Sequence, residues 1–356
     1  MQPVVIAAGG TGGHVIPALA VVDELRERDI PVVWLGTTSG LEARLVPAAG
    51  IDIRWISVAG LRGKNILQTL VGPFKLLRSC FQSLRLVYSL KPRAVLGMGG
   101  FVSGPVGIAA LLLRKPLVLH EQNAVAGMTN RWLSGLASRV FSAFPGAFGD
   151  KTGEQVVGNP VSARIAQLAS RASKRHESVA PLNILIVGGS RGARALNEIV
   201  PLAIAELDEV VHVRHQAGMQ DGDAVRGRYA NASKAVCEVS DFIDDMAGAY
   251  EQADLVICRS GAMTVTELSA LGMPSVLVPF PFAVDDHQTK NAQHLSNVGA
   301  AVLLPQVQLT PASLAQAIQP LLNDRSVLNK MSQAAKSCFM PSAAAVVADA
   351  LIEVSS

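Results

Sequence analysis

The chain has 356 residues, enough for two domains of ordinary size; 49% are hydrophobic and only 4% are aromatic. Its four cysteines show no metal-like or redox-like spacing, which argues against a cysteine-based metal or redox site and indicates free thiols in a reducing compartment. Residues 1–158 carry 16 basic and 9 acidic side chains (+7), and the remainder carries 15 and 19 (−4). Ten basic residues and no acidic one lie from Arg54 to Lys115, a field that favours an anionic partner.

Short apolar runs alternate with helical patterns in the first half, as in βαβ units around a parallel sheet. Strands are predicted at 4–8, 31–35, 94–96 and 117–119, and a helix is predicted at about 17–28 after the loop Gly9–His14. Residues 94–113 are 20 uncharged residues, long enough to span a bilayer. Their five glycines and Pro105 instead predict a strand, a glycine loop and a helix.

The same pattern restarts in the second half, with strands predicted at 183–187, 211–215, 255–258 and 274–278. A second glycine loop begins at Gly188, 179 residues after Gly9. We therefore predict an α/β fold of two Rossmann-like, doubly wound domains with an interdomain cleft. The predicted domains are 1–160 and 161–340, with a C-terminal helix at 341–356 that packs back on the first domain.

Three glycine loops follow predicted strands, at 9–13, 97–104 and 188–192. Glycine lets the backbone approach an anion, and the following helix offers free N–H groups and a positive dipole end. The loops do not fit the dinucleotide fingerprint, because Val15 stands where its third glycine belongs and no acidic residue ends the second strand. The alternative is that the glycines only permit tight turns.

The strand at 255–258 is followed by polar residues at the start of a predicted helix. Ser260 can cap this helix, and Thr264 and Glu267 have the spacing of a capping box. Glu267 could accept hydrogen bonds from two ribose hydroxyls, or it could only cap the helix. Further polar residues follow the next strand, from Asp285 to Asn291, and these fit either ligand contact or a solvated loop.

Several motifs together resemble those of the MurG family, the UDP-N-acetylglucosamine transferases that convert lipid I to lipid II in bacterial peptidoglycan synthesis. The resemblance covers nearly the whole chain, and its motifs are Gly9–Val15, Gly60–Lys64, Gly97–Pro105, His120–Asn123, Val157–Val161, Gly188–Arg194, Phe242–Met246 and Cys258–Ala262. It implies a GT-B fold with the donor bound mainly by the second domain.

The resemblance also implies site residues. The implied donor contacts are Thr11, Gly12, Gly13, Asn123, Arg164, Ser190, Ile243, Ala262, Met263, Thr264, Val265, Thr266, Glu267 and Gln288. The implied acceptor-phosphate loops contain Gly10, His14, Gly99, Gly100 and Ser103. One departure concerns Arg164: the family has arginine where this chain has Ser162, so either Arg164 takes over that contact or the contact is lost.

The implied reaction is inverting: the C4 hydroxyl of the muramyl sugar attacks C1 of N-acetylglucosamine and UDP leaves. His14 is the candidate general base, since imidazole commonly serves this role near neutral pH. Alternatively, His14 contacts an acceptor phosphate or orders its loop; His120 and His287 are weaker candidates. No carboxylate pair suited to Mg²⁺ is evident, so we expect no cofactor and no protein-bound metal, and a divalent ion at most on the substrate phosphates.

A run of apolar residues at 67, 70, 74, 77, 81, 84 and 88 has helical spacing, and its usual interpretation is a side that faces the core. Pro73 predicts a helix start nearby. The acid-free surroundings nevertheless suggest docking on anionic lipid, and we predict that Phe74, Lys75, Leu76 and Arg78 form part of this patch. The family resemblance implies a peripheral protein on the cytoplasmic side of the inner membrane, whose partners are UDP-GlcNAc, lipid I and the anionic leaflet, not nucleic acid.

Three rival functions stay open at this point. A UDP-GlcNAc 2-epimerase-like enzyme of the same fold would consume the donor without a lipid acceptor. A nicotinamide oxidoreductase is disfavoured by the missing ribose acid. A non-catalytic nucleotide-sugar sensor could keep Glu267 and Gln288 but would not need the first-domain loops or the basic surface.

Overall fold

The structure is a computed structural model that describes residues 1–58, 66–149, 153–171, 181–189, 193–230 and 235–355, with only the backbone for 66–73. The Gly60–Lys64 motif and Ser190 lie outside the described residues. The chain divides into two compact units, one comprising Met1–Ser162 and Met340–Ser356, the other Ala163–Phe339.

The strands of the described residues are, in chain order, β1 (Val4–Ala7), β2 (Val32–Gly36), β3 (Asp52–Trp55), β4 (Ala94–Gly97), β5 (Leu117–Glu121), β6 (Arg139–Ser142), β7 (Gln155–Val156), β8 (Leu182–Val187), β9 (Val211–Gln216), β10 (Ala235–Ser240), β11 (Leu255–Cys258), β12 (Ser275–Leu277) and β13 (Ala301–Leu303). The predicted strands match eight of these to within two residues at each end. The other five are short or have polar, exposed positions, and a short half-exposed strand gives little apolar signal.

The α-helices of the described residues are α1 (Gly12–Glu27), α2 (Glu42–Ala48), α3 (Ile66–Leu90), α4 (Gly100–Leu112), α5 (Met128–Leu133), α6 (Ala163–Arg171), α7 (Arg194–Ala205), α8 (Gly222–Tyr229), α9 (Met246–Gln252), α10 (Ala262–Leu271), α11 (His287–Ser296), α12 (Pro311–Asn323), α13 (Arg325–Ser337) and α14 (Ala343–Glu353). The predicted helix start at residue 17 is wrong, because α1 begins inside the glycine loop at Gly12. The stretch 94–113 forms β4, a glycine turn and α4, as predicted.

In the first unit the described strands form a parallel sheet with the order β3-β2-β1-β4-β5-β6-β7. The direction in which successive strands are added to the sheet reverses between β1 and β4. Their last residues, Ala7 and Gly97, pair with each other, so the two strands end at the same level. Ligands of open α/β sheets bind at such a switch point, beyond the carboxyl ends of the strands. The loops that follow β1 and β4 therefore lie side by side at the position where a ligand is expected.

The second unit repeats this arrangement with the order β10-β9-β8-β11-β12-β13, also parallel. Its switch point lies between β8 and β11, where Val187 pairs with Cys258. The strands at both switch points are buried along their length because helices cover both faces of a parallel sheet.

The C-terminal helix α14 belongs to the first unit, although the second unit intervenes in sequence. Val347 and Leu351 of α14 are fully buried in the same apolar cluster as Val21 and Leu25 of α1. Its apolar face thus completes the core on one side of the first sheet.

The sequence-based interpretation of α3 is wrong on two points. The helix begins at Ile66, so Pro73 lies inside it rather than at its start. The core-facing interpretation is wrong for Phe74, Leu77, Phe81 and Tyr88, which are 73%, 67%, 67% and 68% exposed, whereas Leu84 does pack against the core. Ser79, Ser83 and Val87 are fully buried on the side that packs against α4.

Candidate active site

The turn between β1 and α1 is held by a buried carboxylate. Gly10 has a φ of 95°, which favours glycine, and its N–H donates to Oε2 of Glu42 at 2.9 Å. Glu42 is fully buried and also accepts from the hydroxyl of Thr37 at 2.7 Å. Thr11 is the N-cap of α1 without capping it through its side chain, so the N–H groups of Gly12 and Gly13 remain available to a ligand.

The turn between β4 and α4 lies directly against the first turn. Gly99 and Gly100 both have positive φ, 85° and 74°, and a Cβ at Gly100 would lie 2.8 Å from the carbonyl oxygen of Gly9. Only glycine allows the two backbones to approach this closely. Ser103 is fully buried, and its hydroxyl lies within hydrogen-bond distance of the carbonyls of Ala7 and Gly99. The Ser103 hydroxyl thus bonds within its own unit, and its membership of an acceptor-phosphate loop stays a prediction.

His14 lies in the first turn of α1, and its ring packs on the second glycine turn. A Cβ at Gly99 would come within 3.2 Å of the ring carbon Cε1, so glycine makes room for the imidazole. Nδ1 of His14 lies 2.7 Å from Oε1 of Gln122, the residue that follows β5. The side chain is half-buried. The fold thus brings together His14, Gly99 and Gly100, which the sequence assigned to one acceptor site.

The end of β5 carries two buried titratable residues. Glu121 accepts hydrogen bonds from the N–H of Asn123 at 3.0 Å and from Nδ2 of Asn130 at 2.9 Å, which fixes the loop that carries Asn123. His120 is fully buried, and burial lowers the pKa of its imidazole to about 4. A histidine that stays neutral and has no access to solvent is structural rather than a general base. His120, one of the two weaker candidates for the base, is therefore removed.

In the second unit, α10 begins at the switch point with an uncapped N-terminus. Its N-cap is Gly261, which has no side chain that could cap the first turn. The predicted cap by Ser260 is wrong: this buried hydroxyl donates to the carbonyl of Gln288 at 2.8 Å. The predicted Thr264–Glu267 capping box is also wrong, because both residues lie beyond the N-cap. The amides of Ala262, Met263 and Thr264 therefore offer a site for an anion, and Val265 and Thr266 follow in the same buried turn.

Glu267 lies in the second turn of α10 and is half-buried. Tyr250, which is buried on α9, donates its hydroxyl to Oε2 of Glu267 at 3.2 Å. Burial raises the pKa of Glu267 to about 7, against the smaller opposing effect of the Tyr250 hydrogen bond. A strongly raised pKa marks Glu267 as a candidate functional residue, and in its ionised form the carboxylate can accept hydrogen bonds from ligand hydroxyls.

Three further residues of the second unit, which the sequence analysis assigned to the donor site, lie outside α10. Gln288 accepts from the N–H of Phe280 at 2.9 Å through Oε1, which leaves its amide NH₂ for a ligand. Ile243 is buried. Arg164 pairs with Asp245 at 2.8 Å on the surface, and hydrogen bonding to Gly248, together with Arg164, lowers the pKa of Asp245.

Sequence reasoning missed four residues that shape these sites, namely Glu42, Gln122, Tyr250 and Arg259. Arg259 is held by the carbonyls of Val278 and Pro279 at 3.0 and 3.1 Å, immediately before α10. Of these, only Gln122 and Arg259 lie within motifs that carry the family resemblance, His120–Asn123 and Cys258–Ala262. Glu42 bonds to a glycine turn and Tyr250 bonds to helix α10, both in other parts of the sequence, so no local pattern reveals these two residues.

Among the described residues, no cluster of histidine, cysteine, aspartate or glutamate could hold a metal ion. Within the same part of the chain, no helix combines the length and apolar character needed to cross a bilayer.

Comparison with known proteins places these sites in a family. Residues 4–142 match the Glycosyltransferase family 28 N-terminal domain and residues 183–347 match the Glycosyltransferase family 28 C-terminal domain. The crystal structure of CalG4, the calicheamicin glycosyltransferase, has a TM-score of 0.70 over 99% of this chain and 98% of its own, at 18% identity, which shows likeness of fold. Fold and domains define the class: this is a two-domain glycosyltransferase of the GT-B fold.

The nearer relatives identify the family within that class. A UDP-N-acetylglucosamine--N-acetylmuramyl-(pentapeptide) pyrophosphoryl-undecaprenol N-acetylglucosamine transferase of Alkalilimnicola ehrlichii is 52% identical over 99% of both chains. One of the same description from Methylococcus capsulatus is 49% identical over 98% of both. The crystal structure of Acinetobacter baumannii MurG has a TM-score of 0.84 at 42% identity, over 99% of this chain and 100% of that one. The chain belongs to the MurG family.

Proposed function

We propose that this protein transfers N-acetylglucosamine from UDP-GlcNAc to the C4 hydroxyl of the muramyl sugar of lipid I, with inversion at C1, and so forms lipid II. The observation that carries the proposal is the full-length similarity to relatives of that description, at 52% identity over 99% of the chain. The local geometry supports it, because each unit presents an uncapped helix N-terminus at the switch point of its sheet.

The second unit supplies the donor contacts in this proposal. The N–H groups at the start of α10 receive the diphosphate, where the helix dipole stabilises the charge that develops as UDP leaves. Glu267 accepts hydrogen bonds from the ribose hydroxyls, and the amide of Gln288 donates to the sugar. The backbone at Ile243 reads uracil, and Ser190 and Arg164 are retained as donor contacts by resemblance.

The first unit supplies the acceptor contacts and the base. The proton of the attacking hydroxyl passes to His14, whose ring is held between the two glycine turns. The N–H group of Gly100 lies in the first turn of an uncapped helix and is suited to an acceptor phosphate. Thr11, Gly12, Gly13 and Asn123 are retained as contacts to the donor sugar by resemblance. The N–H of Gly10 is already bonded to Glu42, so Gly10 contributes by the shape of its turn.

The chemical step is proposed to need no protein-bound metal, with a divalent ion at most on the substrate phosphates. Support comes from the uncapped N-terminus of α10, whose dipole can stabilise negative charge on a leaving diphosphate bound there. Activity that is lost in EDTA and restored only by an ion bound stoichiometrically to the free protein would contradict this.

The decisive experiment incubates the protein with labelled UDP-GlcNAc, with and without lipid I. We expect label in a lipid product only when lipid I is present, with the anomeric configuration inverted. Label released without lipid I as free sugar or as an epimer would instead support the 2-epimerase-like rival.

The role of His14 is tested in the same assay with the variant His14→Ala. If His14 is the general base, kcat should fall about 100-fold or more. Undiminished turnover would exclude that role.

We also propose that the exposed face of α3 docks on the anionic cytoplasmic leaflet, where the lipid acceptor resides. Phe74, Leu77 and Phe81 share this face, Leu76 is 42% exposed, and Lys75 and Arg78 are exposed beside them. Apolar side chains that enter the interface and cations that meet lipid phosphates act together in this kind of binding. The position of the protein is thus peripheral, on the cytoplasmic side of the inner membrane.

Vesicle binding tests this docking face. Replacing Leu77 and Phe81 together by glutamate should weaken binding to vesicles with anionic phospholipid at least tenfold, since each apolar side chain contributes about 1.5–3 kcal/mol when buried. The matched control is Val307→Glu, an 86% exposed apolar residue of the second unit, which should bind as the unmodified protein does. Binding that ignores both salt and anionic lipid content would refute the proposal.

A further inference from the structure

A chain of hydrogen bonds runs from a backbone carbonyl through two side chains to His14. Nε2 of His120 lies 2.9 Å from the carbonyl oxygen of Gly158. Nε2 of Gln122 lies 3.0 Å from Nδ1 of His120, and Oε1 of Gln122 lies 2.7 Å from Nδ1 of His14. Both His120 and Gln122 are buried, so neither exchanges these partners for water.

The donor and acceptor of each bond follow from the fixed carbonyls. The carbonyl oxygen of Gly158 can only accept, so Nε2 of His120 carries a proton. Burial lowers the pKa of His120 to about 4, so its ring is neutral near pH 7 and Nδ1 has a free lone pair. Nδ1 of His120 must therefore accept from the amide of Gln122.

A second carbonyl fixes the orientation of the Gln122 amide independently. Nε2 of Gln122 lies 3.0 Å from the carbonyl oxygen of His120, which can also only accept. The NH₂ group of Gln122 thus has two acceptors, one for each proton, and its oxygen must point to His14. The backbone of Gln122 is held in turn by Asn159, whose Nδ2 donates to its carbonyl at 3.1 Å.

We propose that Gln122 is a positioning residue that holds His14 in the tautomer with the proton on Nδ1 and the lone pair on Nε2. An amide oxygen cannot donate, so the bond at 2.7 Å exists only when Nδ1 of His14 is protonated. No described residue hydrogen bonds to Nε2 of His14. The sequence motif His120–Asn123 thereby gains a function for its first and third members, His120 and Gln122, that the donor and acceptor contacts do not require.

The inference rests on the proposed function for its catalytic meaning. In that reaction the proton of the C4 hydroxyl moves to Nε2 of His14, the oxygen forms a bond to C1 of the donor sugar, and the bond from C1 to the leaving UDP oxygen breaks. His14 becomes an imidazolium, and its Nδ1–H bond to Gln122 becomes charge-assisted and stronger. A histidine in the other tautomer would present a proton where a lone pair is needed.

The tautomer can be measured without substrates. Nitrogen-15 NMR of the full chain, labelled at histidine, separates protonated from unprotonated ring nitrogens, and His14→Gln assigns the signals of residue 14. We expect neutral His14 to show a protonated Nδ1 and an unprotonated Nε2, and Gln122→Met to show a mixture of tautomers. The matched control is Trp34→Phe, which removes a buried hydrogen bond to Ala8 in the same unit and should leave the tautomer unchanged.

Kinetics then connect the tautomer to turnover. Gln122→Met should lower kcat about 10- to 100-fold, a fraction of what general base catalysis contributes, with little change in KM for UDP-GlcNAc. In a His14→Ala background the same substitution should cost nothing further, because Gln122 acts only through His14. An undiminished kcat, or a loss that persists without His14, would overturn the role in turnover.

The two proposals fail separately. A protonated Nε2 on neutral His14 of the unmodified protein overturns the inference whatever the enzyme transfers, and this measurement does not depend on how well the Gln122 variant folds. The predicted tautomer without any lipid product from UDP-GlcNAc and lipid I would instead refute the proposed reaction and leave the role of Gln122 in setting the tautomer standing.

Discussion

At the scale of single residues, buried polar side chains organise the loops that hold the candidate site. Glu42 bonds to the turn after β1, and Glu121 bonds to the loop after β5. A buried carboxylate is stable only when its oxygens are hydrogen-bonded, and backbone N–H groups of a loop are suitable donors. These hydrogen bonds fix the conformation of the loops and at the same time satisfy the buried carboxylate oxygens.

Glu267 leads to a prediction about donor affinity. Glu267→Gln should weaken UDP binding about 10- to 100-fold, because a hydrogen bond to a charged group contributes about 1.5–3 kcal/mol. Calorimetry on the free protein measures this. The matched control is Glu238→Gln, an exposed carboxylate of the same unit, which should bind UDP normally.

The raised pKa of Glu267 also predicts a pH dependence of this affinity. With a pKa of about 7, the carboxyl is largely protonated below that pH and must lose its proton to accept two ribose hydrogen bonds. UDP affinity should therefore rise as pH increases through about 7, with proton release, beyond any change seen for Glu267→Gln. Equal pH profiles for the two proteins would contradict a role for the Glu267 carboxylate.

At the scale of elements, close backbone approaches decide where the helices begin. The turn before α4 touches the turn before α1 only because residues 99 and 100 are glycine with positive φ. Close packing also shapes α3, where Ser79, Ser83 and Val87 are buried while Phe74, Leu77 and Phe81 are exposed. Periodicity alone could not distinguish those two sides.

Gly100→Ala tests the contact between the two turns. The added Cβ would lie 2.8 Å from the carbonyl oxygen of Gly9, in a backbone conformation that alanine rarely adopts. We expect the free energy of unfolding of the first unit to fall by about 1–3 kcal/mol from backbone strain alone, and turnover to fall with it as His14 shifts. Thermal unfolding measures the first effect. Gly135→Ala is the control, since nothing lies near its Cβ and it should change stability little.

At the scale of the whole molecule, the described part of each unit contains one fully buried histidine. Burial lowers the pKa of His120 in the first unit and of His215 in the second unit to about 4. The unfolded chain protonates both near pH 6.5, while the folded chain does not. Their contribution to stability is therefore complete above about pH 6.5 and declines as pH falls toward 4.

This linkage predicts acid sensitivity of the first unit, whereas in the second unit His215 and Glu267 have opposite effects over the same pH range. Lowering pH from about 7.5 to about 5 should reduce the free energy of unfolding by about 2 kcal/mol for each histidine. Glu267 acts in the opposite direction in the second unit, because its raised pKa makes stability fall as pH rises between about 4.5 and 7. Denaturant unfolding at several pH values measures the sum.

A substitution isolates the histidine contribution. His215→Gln should be less stable at neutral pH but should lose less stability on acidification, while His212→Gln, at an exposed position, should keep the original slope. A slope that is the same in the His215 variant would show that another group causes the acid sensitivity.

The sequence by itself determined the fold class, the tandem repeat of strand, glycine loop and helix, and the family. These follow from local patterns. A buried parallel strand is a continuous apolar run, and the repeated order of strand, glycine loop and helix is typical of a Rossmann-like domain. Most of the implied site residues lie in the same local motifs, so they too could be named before any coordinates.

Only the tertiary structure decided what those residues touch. The bond from Gln122 to His14 joins positions 108 residues apart, and the bond from Glu42 to Gly10 joins positions 32 apart. The burial that raises the pKa of Glu267 and lowers that of His120 is likewise a property of the packed chain. Sequence patterns report a residue's own element, whereas hydrogen bonds and burial depend on which elements pack together, and here that packing selects the ring nitrogen of His14 that can take a proton.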